Sequence, residues 1–444
     1  MPLKKILLKA GVNRENTRYT SEGGWYECNN VRFRQGTPEK IGGWTRLNTV
    51  KFLGVARSLW NWITLGGQNL IGVGTNIKFY IENGGTFNDI TPLRSTTSAG
   101  EVTFSASVTT LSAAITSTTA TTIPITDATG FPLVGLILID SEVISYTGIT
   151  DNTLTGCSRG AAKLVNDVAT NTTAATHSNS AGVTCFTILV SDANNGATDG
   201  DFVTFTDATP MGGNFTAAVL NLEYEILTRE GQDKYTILAR SFSNTTIAFS
   251  NVASTSADTG NGGSSTVGAY QLNVGVATAS EVSDWGAGGW GAGLFGAGVT
   301  SQEILRIWSQ QNFGEDLIFG PRGGRIYYWA ATDDLRTRAV ELSGSNVPVI
   351  QNLILVSDIN RFVFCFGANP LGSAARDPML IRWSDQENAE NWTPDATNQA
   401  GSLRLSRGTE IVAASQARQE VLVWTDSSLY SLQYVGAESG VWAA

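Results

Sequence analysis

In "NNVRFRQGTPEKIGGW" the apolar Val31 and Phe33 alternate with Arg32 and Arg34, a period of two that predicts a half-buried strand. Gln35-Gly36-Thr37-Pro38 then predicts a turn, with a second strand after it. "NLIGVGTNIKFYIENGG" repeats this grammar. Leu70, Ile71 and Val73 lead into a Gly-Thr-Asn turn, Ile77, Phe79 and Ile81 alternate with Lys78, Tyr80 and Glu82, and a Gly-Gly turn closes the unit. Two later segments, "DLIFGPRGGRIYYW" and "EVLVWTDSSLYSLQY", show the same order: apolar strand, polar or glycine turn, strand carrying aromatics. Recurring units of three or four strands predict propeller blades. Helical periodicity is weak throughout, and only "SDQENAENWTP" predicts a short helical turn.

The middle of the chain reads differently. From about Ser95, "TTSAGEVTFSASVTTLSAAITSTTATTIP" is dominated by small and hydroxyl residues and is expected to be an extended connector. Short apolar runs separated by "DATGFP", "DSE" and "TDN" then predict a compact β module, and "CFTILV", "DFVTFTD", "EYEILTRE" and "KYTILARS" predict a second. The expected fold class is all-β: a β-propeller-like core of short antiparallel strands with inserted small β modules. The expected division is 1–98 for the first part of the core, 99–183 and 184–272 for the two inserted modules, and 273–444 for the rest of the core.

Composition narrows the functional classes. Of 444 residues only 15% are charged, against about a quarter in typical soluble domains. The formal net charge is −10, which disfavours a protein that grips nucleic acid by neutralising phosphates. Arginine outnumbers lysine 21 to 8. Arginine suits planar pairing across interfaces, but a biased genome composition gives the same excess. The four cysteines, Cys28, Cys157, Cys185 and Cys365, form no CxxC pair, so neither a disulfide framework nor a zinc site is expected. No stretch approaches the roughly 18 apolar residues of a membrane span. The N-terminal "MPLKKILLKAGVN" is too short for a signal-peptide core, and synthesis and folding in a reducing cytoplasm are expected.

Candidate chemistry is sparse. "WGAGGWGAGLFGAG" contains G-x-G-x-x-G twice, but a dinucleotide site needs a buried strand before it and a helix after it. "ASEVSDW" precedes it and the strand-like "AGVTSQEILRIW" follows, so no cofactor is expected. Trp285, Trp290 and Phe295 are instead expected to anchor a glycine-permitted loop, either as an exposed interface or as buried packing. The one histidine, His177, lies in a polar segment and is expected to be exposed. No hydrolytic triad, HExxH, GxSxG or Walker lysine is present, so no catalytic residue is expected. Asp140, Glu142, Asp316, Asp333, Asp334, Asp377, Asp385 and Glu387 sit near predicted strand ends. Two carboxylates at a set separation suffice for glycoside hydrolysis, yet turn chemistry explains aspartates in these places. Metal binding is unsupported: "DATGFP" and "DANNGATDGD" lack the twelve-residue calcium-loop pattern. Arg322 and Arg325 in "PRGGR" are expected to be surface charge on a tight turn, with phosphate contact as the other reading.

Three segments, "SEGGWYECNNVRFRQGTPEKIGGW", "GVGTNIKFYIENGGTFNDITPLR" and "LIRWSDQENAENWTP", together resemble the tail nozzle, or tail tubular protein B, family of short-tailed bacteriophages. The inserted "GFPLVGLILIDSEVISYTGITDNTLTGCSRGA" is similar to small β modules of phage virion proteins. The resemblance covers about 1–98 and 270–434. It implies a virion tail protein: a propeller-based, non-enzymatic subunit of a homo-oligomeric ring, a hexamer, at the distal end of the tail. Its implied partners are an upper tail adaptor ring and tail fibres, with genomic DNA passing through the channel unbound and a possible host surface contact. The family's proteins continue with more strands after the point reached by "LQYVGAESGVWAA". The competing expectation is a tail-borne glycan-binding or polysaccharide-degrading β-propeller, with the inserted modules projecting outward.

Overall fold

The computed structural model describes residues 9–15, 17–20, 23–43, 45, 50–277, 305–358, 360–436 and 441–443. The chain divides into two compact units, Met1–Lys51 and Phe52–Ala444. In the first, Val31–Arg34 pairs antiparallel with Thr37–Lys40, as the alternation predicts. The turn residues Gln35 and Gly36 have φ of 50° and 82°, the left-handed pair that matches strand twist in a two-residue hairpin. Arg32 Nε reaches Glu39 Oε2 at 3.1 Å across the exposed face. Trp25 meets Phe33 edge-on at 6.1 Å. The first unit is thus its own hairpin and not the opening of a blade, a difference from the division read from the sequence.

The second unit carries four antiparallel meanders of four strands each. The first blade is Ala56–Ile63, Asn69–Thr75, Phe79–Asn83 and Thr86–Asp89. The second is Trp308–Phe313, Asp316–Pro321, Tyr327–Trp329 and Val340–Glu341. The third is Leu353–Val356, Val363–Phe366, Leu380–Trp383 and Gly401–Arg404. The fourth is Ile411–Gln416, Glu420–Thr425, Leu429–Gly436 and Val441–Ala443. The leading strands of successive blades lie side by side, so the blades fan around a common axis and the fold is β-propeller-like.

Apolar cores fill the three gaps between consecutive blades. Phe79 of the first blade stacks on Phe319 of the second at 4.0 Å, with Trp308 and Trp329 around them. Ile318 packs with Val363, Cys365 and Trp392 in the next gap. Phe364 meets Trp442 edge-on at 4.9 Å in the last. The glycines of "IGVG" are required by this packing. A Cβ on Gly74 would lie 2.6 Å from the Trp308 ring, so only glycine lets the two sheets approach. Among the described residues no apolar core joins the fourth blade to the first, and the blades form an open arc.

The middle of the chain is two sandwiches, one nested in the other. Leu93–Thr96 pairs with Val267–Gln271, and Thr103–Ser105 pairs with Thr187–Ser191. These ladders close an outer module around Phe104, Ile188, Phe205, Phe215, Tyr224, Tyr235 and Tyr270. Within it, Val108–Thr110, Gly135–Ile139, Glu142–Tyr146 and Gly182–Cys185 form the main sheet of an inner module around Ile123, Ile137, Ile144 and Leu154. The stretch after Ser95 is therefore paired strand, not an extended connector, and the modules do not follow one another at 183/184. Threonine is β-branched and suits strands, and Val102 and Phe104 anchor this one in the outer core.

The expected helical turn in "SDQENAENWTP" is also absent. There Asp385 Oδ1 accepts Gln386 N and Gln399 N, both at 2.9 Å, and so holds a loop where a helix would need those donors free. The one helix among the described residues is the single turn Ala217–Leu220.

A buried charge cluster fastens the outer module to the propeller. Lys78, 2% exposed, contacts Asp89 at 2.5 Å and Glu223 at 2.8 Å. Glu223 also accepts from Arg338 at 2.9 Å and from Gln271 at 2.6 Å. Lys78 and Asp89 belong to the first blade, Arg338 to the second, and Glu223 and Gln271 to the outer module.

Candidate functional site

The leading strands of all four blades border one groove of about 500 Å³. The lining is rich in hydroxyl and amide groups: Ser58, Ser309, Gln311, Ser415 and Gln416, beside Trp60. Several are fixed by hydrogen bonds between blades. Trp60 Nε1 donates to Asn312 Oδ1 at 3.1 Å, Gln310 Nε2 donates to Ser58 Oγ at 2.8 Å, and Val356 N donates to Gln311 Oε1. Arg322 and Asp358 supply the charges on the lining. Such a surface can hydrogen-bond a neutral, hydroxyl-rich ligand and offers it an aromatic edge.

The ends of the arc form a second kind of surface. In the fourth blade Val421 and Val423 point into the core shared with the third blade. Leu422 and Trp424 therefore point the other way, and Leu429 is paired opposite Trp424. Trp424 is 37% exposed and Leu429 57%. In the first blade Trp62 faces the second blade, while Leu59 and Ile63, on the opposite face, are each 68% exposed. Inside the arc the equivalent faces are covered by the next blade.

The carboxylates singled out in the sequence are not gathered at the groove. Asp316 accepts Tyr328 OH and, at 2.8 Å, Ala331 N. Asp377 pairs with Arg404 at 2.7 Å and caps Met379 N at 3.0 Å. Asp334 accepts Arg336 N at 2.8 Å. Asp333 closes the preceding turn, its N donating to Ala330 O at 3.1 Å, and Glu387 sits at φ 54° in another. Turn and pair chemistry accounts for these residues. Of the two arginines of "PRGGR", Arg322 lines the groove and Arg325 pairs with Glu341.

Asp140 and Glu142 do come together, in the inner module and around His177. The imidazole is buried, against the expectation of exposure, because both ring nitrogens are bridged. Nδ1 lies 2.8 Å from Asp140 Oδ2 and Nε2 lies 2.8 Å from Glu142 Oε2. Glu142 is fully buried. Arg159 grips both its oxygens at 2.8 and 2.7 Å, and Gly160 N and Ala175 N donate at 2.9 Å each. Burial pushes this carboxyl up, but Arg159, Ala175 N, His177 and Gly160 N outweigh it and hold the pKa at about 2. Both Glu142 oxygens are occupied by protein, so the cluster is a structural staple. Aspartate and glutamate two apart at a predicted hairpin turn were the available signal. Their partners lie far off in sequence.

Cys157, Cys185 and Cys365 are buried free thiols. Burial pushes Cys157 up to about 11 and Cys185 to about 12, so neither is a ready nucleophile. Among the described residues no group of His, Cys, Asp and Glu is arranged to hold a metal ion, and no helix is long and apolar enough to cross a membrane. Trp285, Trp290 and Phe295 lie outside the described residues.

No protein-family model matches the chain, and no curated protein matches it in sequence. Among solved structures it is similar to a phage phi92 endosialidase at 11% identity and a TM-score of 0.18, across 85% of this chain and 50% of that one. The chain thus spans about half the length of that structure. A likeness at this TM-score carries no weight for function.

Proposed function

We propose that this chain is a structural β-propeller component of a bacteriophage tail, a subunit that builds a nozzle ring through the two ends of its blade arc. The observation that supports this is the exposed apolar residues at both ends of the arc, Trp424 with Leu429 on the fourth blade and Leu59 with Ile63 on the leading strand of the first. They lie at opposite ends of the same arc. A contact between the fourth blade of one copy and the first blade of the next is heterologous, and a heterologous contact that closes makes a ring. The three sequence segments that resemble tail nozzle proteins favour the same reading. A net charge of −10 suits a passage through which DNA slides without sticking, since like charges repel across a narrow lumen. Among the described residues the groove has one carboxylate on its lining, Asp358, where glycoside hydrolysis needs two.

The test is the mass of the purified full chain in solution together with images of its particles. A ring supports the reading. A monomer that Trp424→Glu leaves unchanged refutes it. A second reading, a tail-borne glycan-binding propeller, is favoured by the hydroxyl- and amide-rich groove beside Trp60. Binding of a neutral oligosaccharide that is lost on Gln311→Ala would support it.

A further inference from the structure

Two buried cations in the described residues are matched by carboxylates. Lys78 has Asp89 and Glu223, and Arg159 has Glu142. Arg382, in the third strand of the third blade, is 3% exposed and makes no ion pair among the described residues. Its contacts are backbone carbonyls: Nη2 to Asn346 O at 2.7 Å and Trp392 O at 3.3 Å, and Nη1 to Asn369 O at 3.3 Å. A guanidinium carries five N–H donors and stays charged. The Nε–H and one Nη1–H are left without a protein acceptor among the described residues. Burying a charge without a counter-charge is costly, and carbonyl dipoles offset only part of that cost.

Arg382 also lines a cavity of about 370 Å³ between the loop at 341–349 and the loop at 369–373. That size falls in the range of small-ligand sites. Ser343, Asn346 and Ser373 add hydroxyl and amide groups to its wall, and Leu371 adds an apolar edge. The wall is held in place. Asn369 Oδ1 accepts Val349 N at 2.9 Å and Ile350 N at 3.2 Å, and its Nδ2 donates to Ser373 O at 2.7 Å. Glu341, the acidic residue at the cavity, is already paired with Arg325.

We propose that this cavity binds a carboxylate-bearing saccharide, its carboxylate set against Arg382 and its hydroxyls against Ser343, Asn346 and Ser373. An anion supplies the missing counter-charge through charge-assisted hydrogen bonds, which are stronger than neutral ones. The flanking hydroxyl and amide groups select a polyhydroxylated body over a bare ion. The proposal is independent of ring assembly: a monomeric chain would bind equally.

The experiment is a calorimetric titration of the full chain with glucuronic acid, with glucose and inorganic phosphate as comparison probes. Glucuronic acid is expected to bind at least tenfold more tightly than either. Arg382→Lys is expected to weaken it tenfold or more. Because Arg382 also ties three loops together, a second variant, Ser373→Trp, fills the cavity and leaves Arg382 itself in place. It is expected to abolish binding while the circular dichroism spectrum stays unchanged. Equal binding of glucose and glucuronic acid, equal binding of phosphate, no detectable binding of glucuronic acid, or full binding by the Ser373→Trp protein would each overturn the proposal.

Discussion

Glu142 gives the sharpest energetic prediction. Its carboxyl titrates near 4.5 when free and at about 2 in the folded protein. A difference of that size corresponds to about 3 kcal/mol of stability. The folded-state value is the lower one, so this stability is fully present above the free value and is lost as pH falls through the folded one. Glu142→Gln keeps the shape and removes the charge. Arg159 and His177 then face an amide in a buried site, and breaking a buried pair from one side costs about 3–5 kcal/mol. The loss is confined to the inner module, because every partner of Glu142 lies between Arg159 and His177. A chain of several modules does not unfold in one step, so the readout is hydrogen exchange by mass spectrometry. Peptides from 135–185 are expected to lose protection at neutral pH, while peptides from 202–238 and 353–383 keep theirs. Below about pH 4.5 the difference between variant and parent should shrink, because the opened parent takes up a proton that the folded one refuses, and it should close as pH falls through about 2. Unchanged exchange at 135–185, or a difference that grows on acidification, would refute this account of the cluster.

Three further outcomes follow from the packing. Glu223→Gln weakens the clamp on Lys78 by about 1–3 kcal/mol, since Asp89 remains; limited proteolysis should cut sooner near 97–101 and 272–277, and an unchanged digestion pattern would count against the clamp. Gly74→Ala forces a Cβ against the Trp308 ring and should cost about 1–3 kcal/mol; thermal unfolding at the parent's midpoint would show that the blades do not meet there. Trp424→Glu with Leu429→Lys should leave the blades folded and lower the solution mass; an assembly of unchanged mass would remove these residues from the subunit contact.

Local features of the fold were legible, and long-range ones were not. The strands at 31–40 and 69–83 follow from alternation and turn residues alone. Gly74 of "IGVG" looks like part of a turn in sequence, and only the facing Trp308 explains it. Nesting of the two modules escaped the reading because it depends on pairing across long intervals, such as Phe104 with Val190 and Tyr270 with Ser95. His177 was misplaced for the same reason: its segment is polar, but the carboxylates that bury it come from a hairpin 35 and 37 positions earlier. Arg382 sits in "LIRW", a strand whose neighbours Ile381 and Trp383 are plainly core. Nothing in that run tells a buried arginine from one that alternates outward.

The central claim is that the two uncovered ends of the blade arc meet between copies. Sedimentation of the full chain beside the Trp424→Glu, Leu429→Lys protein, with electron microscopy of both, tests it most directly. The account predicts closed rings for the parent and single subunits with intact blades for the variant. Single subunits for both, or rings for both, would contradict it.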